Sequence, residues 1–473
     1  MKLLLVLPSW PAGSFWAVSR DKFPSLGLLT VAGLTPREHD VHFADEQLGP
    51  IPSDLWYGSW DLVGIGGLTA QSPRAYAIAE HYRGRGIPVV MGGPHASALP
   101  AEALQHCDAV VTGEAEGVWD RVLSDTAEGK LNGVYNAGFR PELAGMPMPR
   151  RDLLADNAYV TKSIVITTRG CPFECEFCVV TSLFGGAFRR RPIEEVVAEL
   201  EAIRDRHKFM FFADDNFIAH KGHAKAMMKA FARLNIAWST QSTINIAKDE
   251  ELLKLAADSN CWGLFIGFES LNEETLRRMG KTFVKLETYK ESIKKIHSYG
   301  IGIQGSFVFG SDGDDKGVFE RTLRFVEEVR LEAVMLSVLT PFPGTETHHR
   351  LKREGRIYHE DWSRYDMNTV VYRPNGMTER ELQDGLMWLG KRFYSVPSMF
   401  RRLPAWRQNR FLWIPQNYFF ARAYRDMRHP IPPAGEPAGD RIHTPSPAEV
   451  RNMGGYLHPI TARQLELEAG VRS

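Results

Sequence analysis

The sequence predicts an α/β protein made of two consecutive parallel-sheet units. An N-terminal doubly wound sheet is followed by a partial (β/α)6 barrel, and a mainly helical C-terminal region completes the chain. Three observations carry this prediction. Short apolar runs alternate with helix-periodic stretches in two successive series, the pattern of crossover-connected parallel strands. Glycines and small polar residues sit just past the strand ends of the first series, at Gly66, Gly67, Thr69, Gly92, Gly93 and Gly113, where such sheets bind ligands. Three of the five cysteines fall within eight residues, directly after the first strand of the second series.

The first series reads as strands at LLLVL (3–7), VHFAD (41–45), DLVGIGG (61–67), IPVVMGG (87–93) and DAVVTGE (108–114). A helix through Ala75, Ile78, Ala79 and Tyr82 follows the third strand. The second series begins at SIVITT (163–168). RPIEEVVAELEAIRDRH (191–207) is helical, with Ile193, Val196, Val197, Leu200 and Ile203 on one face and Pro192 in the first turn. Strands are then expected at 209–214, 236–242, 263–269, 302–310 and 333–340. The resulting division is a first unit over 1–130, a Gly/Asn/Pro-bearing linker over 131–160, a barrel over 161–345, and a helical region with a Pro/Gly-rich tail over 346–473.

At 473 residues the chain exceeds one ordinary core. A formal net charge of zero gives no field for nucleic acid. The apolar start MKLLLVLPSW is short and interrupted by Pro8 and Pro11, and no run is long enough to span a bilayer. A cytoplasmic protein is expected. From Lys391 to Arg428 nine Lys/Arg meet one acid, Asp426, and interleave with Trp406, Phe411, Trp413, Tyr418, Phe419 and Phe420. This reads as a helical cap on the barrel with snorkelling arginines, or as a contact with a membrane interface or with an apolar, acidic or isoprenoid substrate.

The chemistry lies in TTRGCPFECEFC (167–178), where Cys171, Cys175 and Cys178 have the spacing Cys-x3-Cys-x2-Cys. Three thiolates on one loop hold three irons of a [4Fe–4S] cube and leave the fourth iron open to a small molecule. Structural zinc would need a fourth ligand, and neither Cys107, Cys261 nor a close His supplies one. A non-catalytic electron carrier would ordinarily have four cysteines.

RGCPFECEFC resembles the signature of the radical S-adenosylmethionine superfamily, Cys-x3-Cys-x-aromatic-Cys, with Phe177 as the aromatic. The resemblance implies that S-adenosylmethionine chelates the open iron and is cleaved to a 5′-deoxyadenosyl radical. It further implies that Asp214, Asp215 and Asn216 hold the amino group, that Glu269 accepts ribose hydroxyls, and that Gly305 and Leu339 lie along adenosine. The first unit resembles the cobalamin-binding domain of one large class of that superfamily. Its loop 8–20 lacks the His that ligates cobalt in many such domains, so the expectation is cobalamin without a lower histidine ligand. The expected contacts are Trp10, with Trp16 as an alternative, then Thr69, Gln71, Ser72, Gly92, Gly93, Pro94, Glu114 and Gly117; His95 is not assigned to cobalt. The reaction implied is methyl transfer to an unactivated carbon of a small or lipid-like metabolite. The alternative on the same scaffold is another radical C–H functionalisation: cyclisation, oxidation or carbon–carbon joining. Alternatives of other classes are an iron–sulfur electron carrier or sensor and a cobalamin-binding regulatory module. With no second cysteine cluster, a flavodoxin- or ferredoxin-type donor is expected from outside. No catalytic acid or base is assigned.

Overall fold

The computed structural model describes residues 1–19, 22–156, 158–204, 209–402 and 410–427. In the first unit, β1 (Lys2–Leu7), β2 (Asp40–Asp45), β3 (Leu62–Gly66), β4 (Val89–Gly92), β5 (Ala109–Val111) and β6 (Gly133–Tyr135) form one parallel sheet in the order β2-β1-β3-β4-β5-β6. Alternation along the strands gives the sheet an apolar core on each face. Leu4, Val6, Val63 and Ile65 pack with Ile78 and Tyr82 on one side; Leu3, Leu5, Leu7 and Leu62 pack with Leu28, Trp119 and Val122 on the other. The strand order reverses at β1 and β3, which opens a crevice beyond their carboxyl ends.

The sixth strand, β6, lies inside the stretch expected to be linker. Three residues flanked by glycine and asparagine carry no readable strand period, yet Val134 and Tyr135 complete the edge of the sheet beside β5.

β7 (Ile164–Val165) opens the second unit. β8 (Thr168–Arg169) and β9 (Arg189–Arg190) form a small antiparallel ribbon. β10 (Phe209–Phe212), β11 (Ala237–Ser242), β12 (Cys261–Glu269), β13 (Gly302–Phe309) and β14 (Ala333–Val338) then join β7 in a second parallel sheet, in chain order. β7 and β14 remain its two edges, so the six β/α units make a partial barrel. The register puts Phe211 beside Ser239, Phe265 between Gln241 and Gln304, and Ser306 beside Met335. This inner face is polar and only half-buried, whereas Phe212, Trp238, Leu264, Ile266, Ile303, Phe307 and Leu336 on the other face are fully covered by helices. The expected helix over 191–207 spans Ile193–Ile203, with Val196 and Leu200 buried; 205–208 lie outside the described residues.

The C-terminal helices Glu379–Phe393 and Arg410–Asp426 pack on β14, and the short helix Val396–Arg401 packs on the first of them. The Tyr394 hydroxyl donates to the Val334 carbonyl (2.6 Å) and accepts from its amide (3.0 Å). Arg402 is fully buried and donates to the carbonyls of Leu331, Glu332 and Phe393. With Trp413, Phe420 and Tyr424 also buried, most of this segment is a packing cap. Trp406 and the tail from 428 lie outside the described residues. No helix among the described residues is long and apolar enough to cross a membrane.

Candidate functional site

The expected strand 163–168 is broken, and the break builds the cysteine loop. Asp214, at the end of β10, is fully buried. Its carboxylate accepts from the amides of Thr167 (2.7 Å) and Thr168 (2.6 Å) and from both hydroxyls (2.9 and 3.1 Å). These donors are drawn off the strand ladder, and β8 turns away to pair with β9. Gly170 follows at φ +90, where a Cβ would overlap the Ala187 carbonyl oxygen, so glycine is required. Its amide donates to Asp215 Oδ2 (2.8 Å).

Cys171, Cys175 and Cys178 then lie on one loop pinned from outside. The Glu176 amide donates to the Met279 carbonyl (3.3 Å), and the Thr347 amide donates to the Glu176 carbonyl (3.0 Å). Arg350 pairs with the Glu176 carboxylate (3.2 Å), and Phe173 stacks on Phe283 with centroids 3.7 Å apart. Gly280, at φ +79, has no room for a side chain against the Glu174 carbonyl, 2.8 Å from a would-be Cβ. All three thiols are free. Burial pushes them up, Cys175 to about 12, so iron binding would displace their protons. Among the described residues no His/Cys/Asp/Glu trio converges on a single-ion position. Three free thiols on one loop are the donor set of a cluster with one thiolate per iron.

Of the three residues expected to hold an amino group, only part is free to do so. Asp214 is committed to its four donors and acts as a brace; that assignment is corrected. Asp215 keeps one oxygen for Gly170 and lines the large cavity described below. The Asn216 amide nitrogen lies 3.9 Å from Cys171 Sγ, and its Oδ1 is buried without a protein partner. That orphaned acceptor fits an ammonium donor. Glu269 ends β12 at φ +62, an uncommon backbone for glutamate, beside a register shift in the ladder. Lys281 holds it there: its ammonium donates to Glu269 Oε1 (2.6 Å) and to the Gly267 carbonyl (2.9 Å). The same positive charge pulls the Cys171 and Cys175 thiols down against their burial. Phe177 packs against the barrel core and Leu339 is buried within it. Gly305 has its Cβ side turned to the core. A Cβ there would meet Leu331 (2.8 Å) and Phe268 (3.1 Å), so the glycine makes room for the core.

A cavity of about 590 Å³ opens at the β1/β3 crevice of the first unit. Leu7, Trp10, Gly66, Gly67, Leu68, Gln71, Gly92, Gly93 and Pro94 form its strand-end wall; Leu28, Val31, Leu34 and Trp119 line an arm between the sheet and the helix Leu26–Leu34. Its far wall is barrel: Ile166, Thr168, Arg169, Ala213 and Asp215. One cavity thus joins the strand ends of the first unit to the start of the cysteine loop. Gly93, at φ +96, lies where a Cβ would come 2.8 Å from the Gly67 carbonyl. This mostly apolar, glycine-edged wall suits a large flat ligand bound by shape.

The expected contacts divide. Trp10 lines the cavity, stacked on Trp16 with centroids 5.6 Å apart, while the Trp16 indole donates outward to the Asp366 carbonyl (3.1 Å). Gln71 lines it too, although its amide is spent on the Pro8 carbonyl (2.6 Å). Thr69 and Ser72 are buried away from it, the Ser72 hydroxyl donating to the Thr69 carbonyl (2.8 Å), and Gly117 packs against Ala137. These three are corrected as cavity contacts. Glu114 reaches the cavity but is ion-paired with Arg169 and with Arg189 (2.7 Å). His95 is buried in the first unit, its Nε2 against the Tyr76 hydroxyl (3.0 Å) and Glu102 (3.2 Å), and Trp362 donates to the same carboxylate (2.9 Å). No histidine is among the described cavity residues. Sequence reasoning missed Lys281, Glu116 and the arginine pair, whose partners are distant in the chain.

Comparison with known proteins agrees with this geometry. Residues 165–326 match the Radical SAM superfamily, and residues 16–123 match the B12 binding domain. The chain is 32% identical to bacteriochlorophyllide d C-12(1)-methyltransferase of Chlorobaculum tepidum, over 80% of this chain and 84% of that protein. It is 28% identical to hopanoid C-2 methylase of Rhodopseudomonas palustris, over 72% and 66% respectively. The solved structure of the radical S-adenosylmethionine methyltransferase TsrM from Kitasatospora setae shares the fold, with a TM-score of 0.60 at 17% identity, covering 75% of this chain and 76% of that one. A [4Fe–4S] cluster, S-adenosylmethionine and cobalamin are the cofactors of this architecture. The chain belongs to the cobalamin-binding-domain class of the radical S-adenosylmethionine superfamily and is an enzyme of its C-methylating kind.

Proposed function

We propose that this enzyme methylates an unactivated carbon of a large, predominantly apolar metabolite held between the two units. The observation that carries this reading is the single cavity shared by both: its walls are mostly apolar, and it runs from the glycine-edged strand ends to Thr168, Arg169 and Asp215. Two relatives act on substrates named bacteriochlorophyllide and hopanoid, which supports the same substrate class here.

Bound together, the cluster and S-adenosylmethionine supply a hydrogen-abstracting radical and cobalamin supplies a methyl carrier. The chain's own residues do the holding. Cys171, Cys175 and Cys178 ligate the cluster. Asp215 and the Asn216 Oδ1 accept from the amino group of S-adenosylmethionine, and Glu269, oriented by Lys281, accepts from ribose hydroxyls. Phe177 and Leu339 pack behind that site. Trp10, Gly66, Gly67, Gly92, Gly93 and Pro94 cradle cobalamin without a protein imidazole. Fixing two reactive groups against one carbon is the orientation task that a cavity between two rigid sheets performs. Apolar walls also keep water from a reactive radical.

The electron comes from an external small carrier, because Cys107 and Cys261 are each buried apart from the motif. The exposed Phe400, Ile414 and Tyr418 among the C-terminal arginines support a peripheral lipid contact, in keeping with an apolar substrate. The test is anaerobic turnover with methyl-deuterated S-adenosylmethionine against a panel of polycyclic apolar lipids and small polar metabolites. Label in an apolar product supports the reading; label only in polar products contradicts it.

A further inference from the structure

Two arginines cross between the units at the edge of the cavity. Arg169 and Arg189 are register partners on the β8–β9 ribbon, so their side chains start side by side. Each would repel the other; three carboxylates offset this. Arg169 splits its guanidinium, Nη1 to Glu114 and Nη2 to Glu116 (2.8 Å). Arg189 Nη1 pairs with the other oxygen of Glu114 (2.7 Å). Asp215 lies within electrostatic reach of both arginines. Glu114 and Glu116 belong to the loop after β5, in the first unit, whereas Arg169 is two residues before Cys171. The four paired side chains are all between 9% and 15% exposed.

Burying so many charges is a poor way to gain stability, since desolvation costs several kcal/mol per ion and apolar packing would do as well. What such a network supplies is register: a planar guanidinium forked onto two carboxylates fixes distance and angle together. The units do not need it for attachment. Phe15 packs on Phe420 and Tyr424, Trp362 donates to Glu102, Tyr159 donates to Asp45 (2.9 Å), and Phe23 meets Phe211.

We infer that Arg169, Arg189, Glu114 and Glu116 are positioning residues that hold the start of the cysteine loop in register with the strand-end loop of the first unit, and so align the two cofactor sites. The inference rests on the reading above. Cleavage of S-adenosylmethionine to 5′-deoxyadenosine needs the barrel site alone. Transfer of the sulfonium methyl from S-adenosylmethionine to reduced cobalamin, which leaves S-adenosylhomocysteine, would need the alignment.

The full chain and its Glu114→Gln/Glu116→Gln and Arg169→Lys variants would be reconstituted with iron, sulfide and hydroxocobalamin. They would be reduced with titanium(III) citrate and given S-adenosylmethionine alone. In the double variant S-adenosylhomocysteine should fall on the order of 100-fold, the cost of a misplacement near 1 Å, while 5′-deoxyadenosine stays near the wild-type rate. Arg169→Lys, which keeps the charge and loses the fork, should fall between. Hydrogen exchange on the cofactor-free proteins should rise at 113–117 and 168–171 only. Equal loss of both products, or an unchanged product ratio, overturns the inference. A wild-type chain that retains no cobalamin contradicts the functional reading instead. Exchange then decides: a rise confined to the two segments supports the clamp, and no rise overturns it.

Discussion

The cysteine loop, which starts beside the cavity at Arg169, and the cavity's glycine-edged wall are built on opposite principles. The loop is held by directional contacts: four donors on Asp214, the Gly170 amide on Asp215, and Arg350 on Glu176. The wall has few polar side chains to spend. Gln71 is turned to the Pro8 carbonyl, the Gly113 amide donates to Ser97 (2.9 Å), and the surface is backbone and apolar carbon. Metal-cluster chemistry requires three particular atoms in fixed places. A broad, flat ligand requires only the absence of side chains. The first kind of site fails by losing one residue and the second by gaining one.

The largest effect tests the loop. Cys175→Ala should remove the cluster's visible absorption and cut 5′-deoxyadenosine formation to background, while cobalamin retention survives. Loss of both cofactors together would break the comparison. Next comes the wall. Gly93→Ala puts a Cβ 2.8 Å from the Gly67 carbonyl in a left-handed backbone. Cobalamin retained per chain should drop about tenfold or more, about 1.4 kcal/mol per decade, with the cluster intact. A wild-type cobalamin content would show that the wall is not the cradle.

A smaller effect separates bracing acids from binding ones. Burial raises Asp314 from 3.8 to about 6; it accepts from the Gly310 amide (3.0 Å). Between those values the folded chain keeps a proton that the unfolded chain has released. The contribution is full below 3.8 and is lost as pH rises through about 6. Asp314→Asn removes the dependence, so wild type should lose about 1–3 kcal/mol relative to the variant from about pH 4 to about pH 7, read by urea denaturation. A flat difference would contradict it. The smallest effect is at the surface: Phe400→Ser/Tyr418→Ser should weaken co-sedimentation with anionic liposomes a few-fold at low salt. Unchanged co-sedimentation removes the lipid contact.

The same contrast governs what could be read in the sequence. Cysteine spacing is local, and short stretches rich in apolar residues, set between helix-periodic segments, announce β1 to β5 and β10 to β14. The two- and three-residue strands β6, β8 and β9 are too short to carry a period. Asp214 reads as a ligand because it follows a barrel strand; its donors Thr167 and Thr168 stand 47 and 46 positions earlier. Arg169 reaches Glu114 across 55 positions, and nothing local to either residue marks the partner. Gly305 shows another limit: a glycine on a barrel strand suggests a ligand, and nothing local shows that Leu331 and Phe268 crowd its Cβ side.

The central claim is that one cavity serves two cofactors. Its most direct test is anaerobic purification with a reconstituted cluster and hydroxocobalamin, followed by measurement of cobalamin per chain and of both S-adenosylmethionine products. Retained cobalamin with S-adenosylhomocysteine and 5′-deoxyadenosine together is the predicted result. 5′-Deoxyadenosine alone, from a chain that retains no cobalamin, would contradict it.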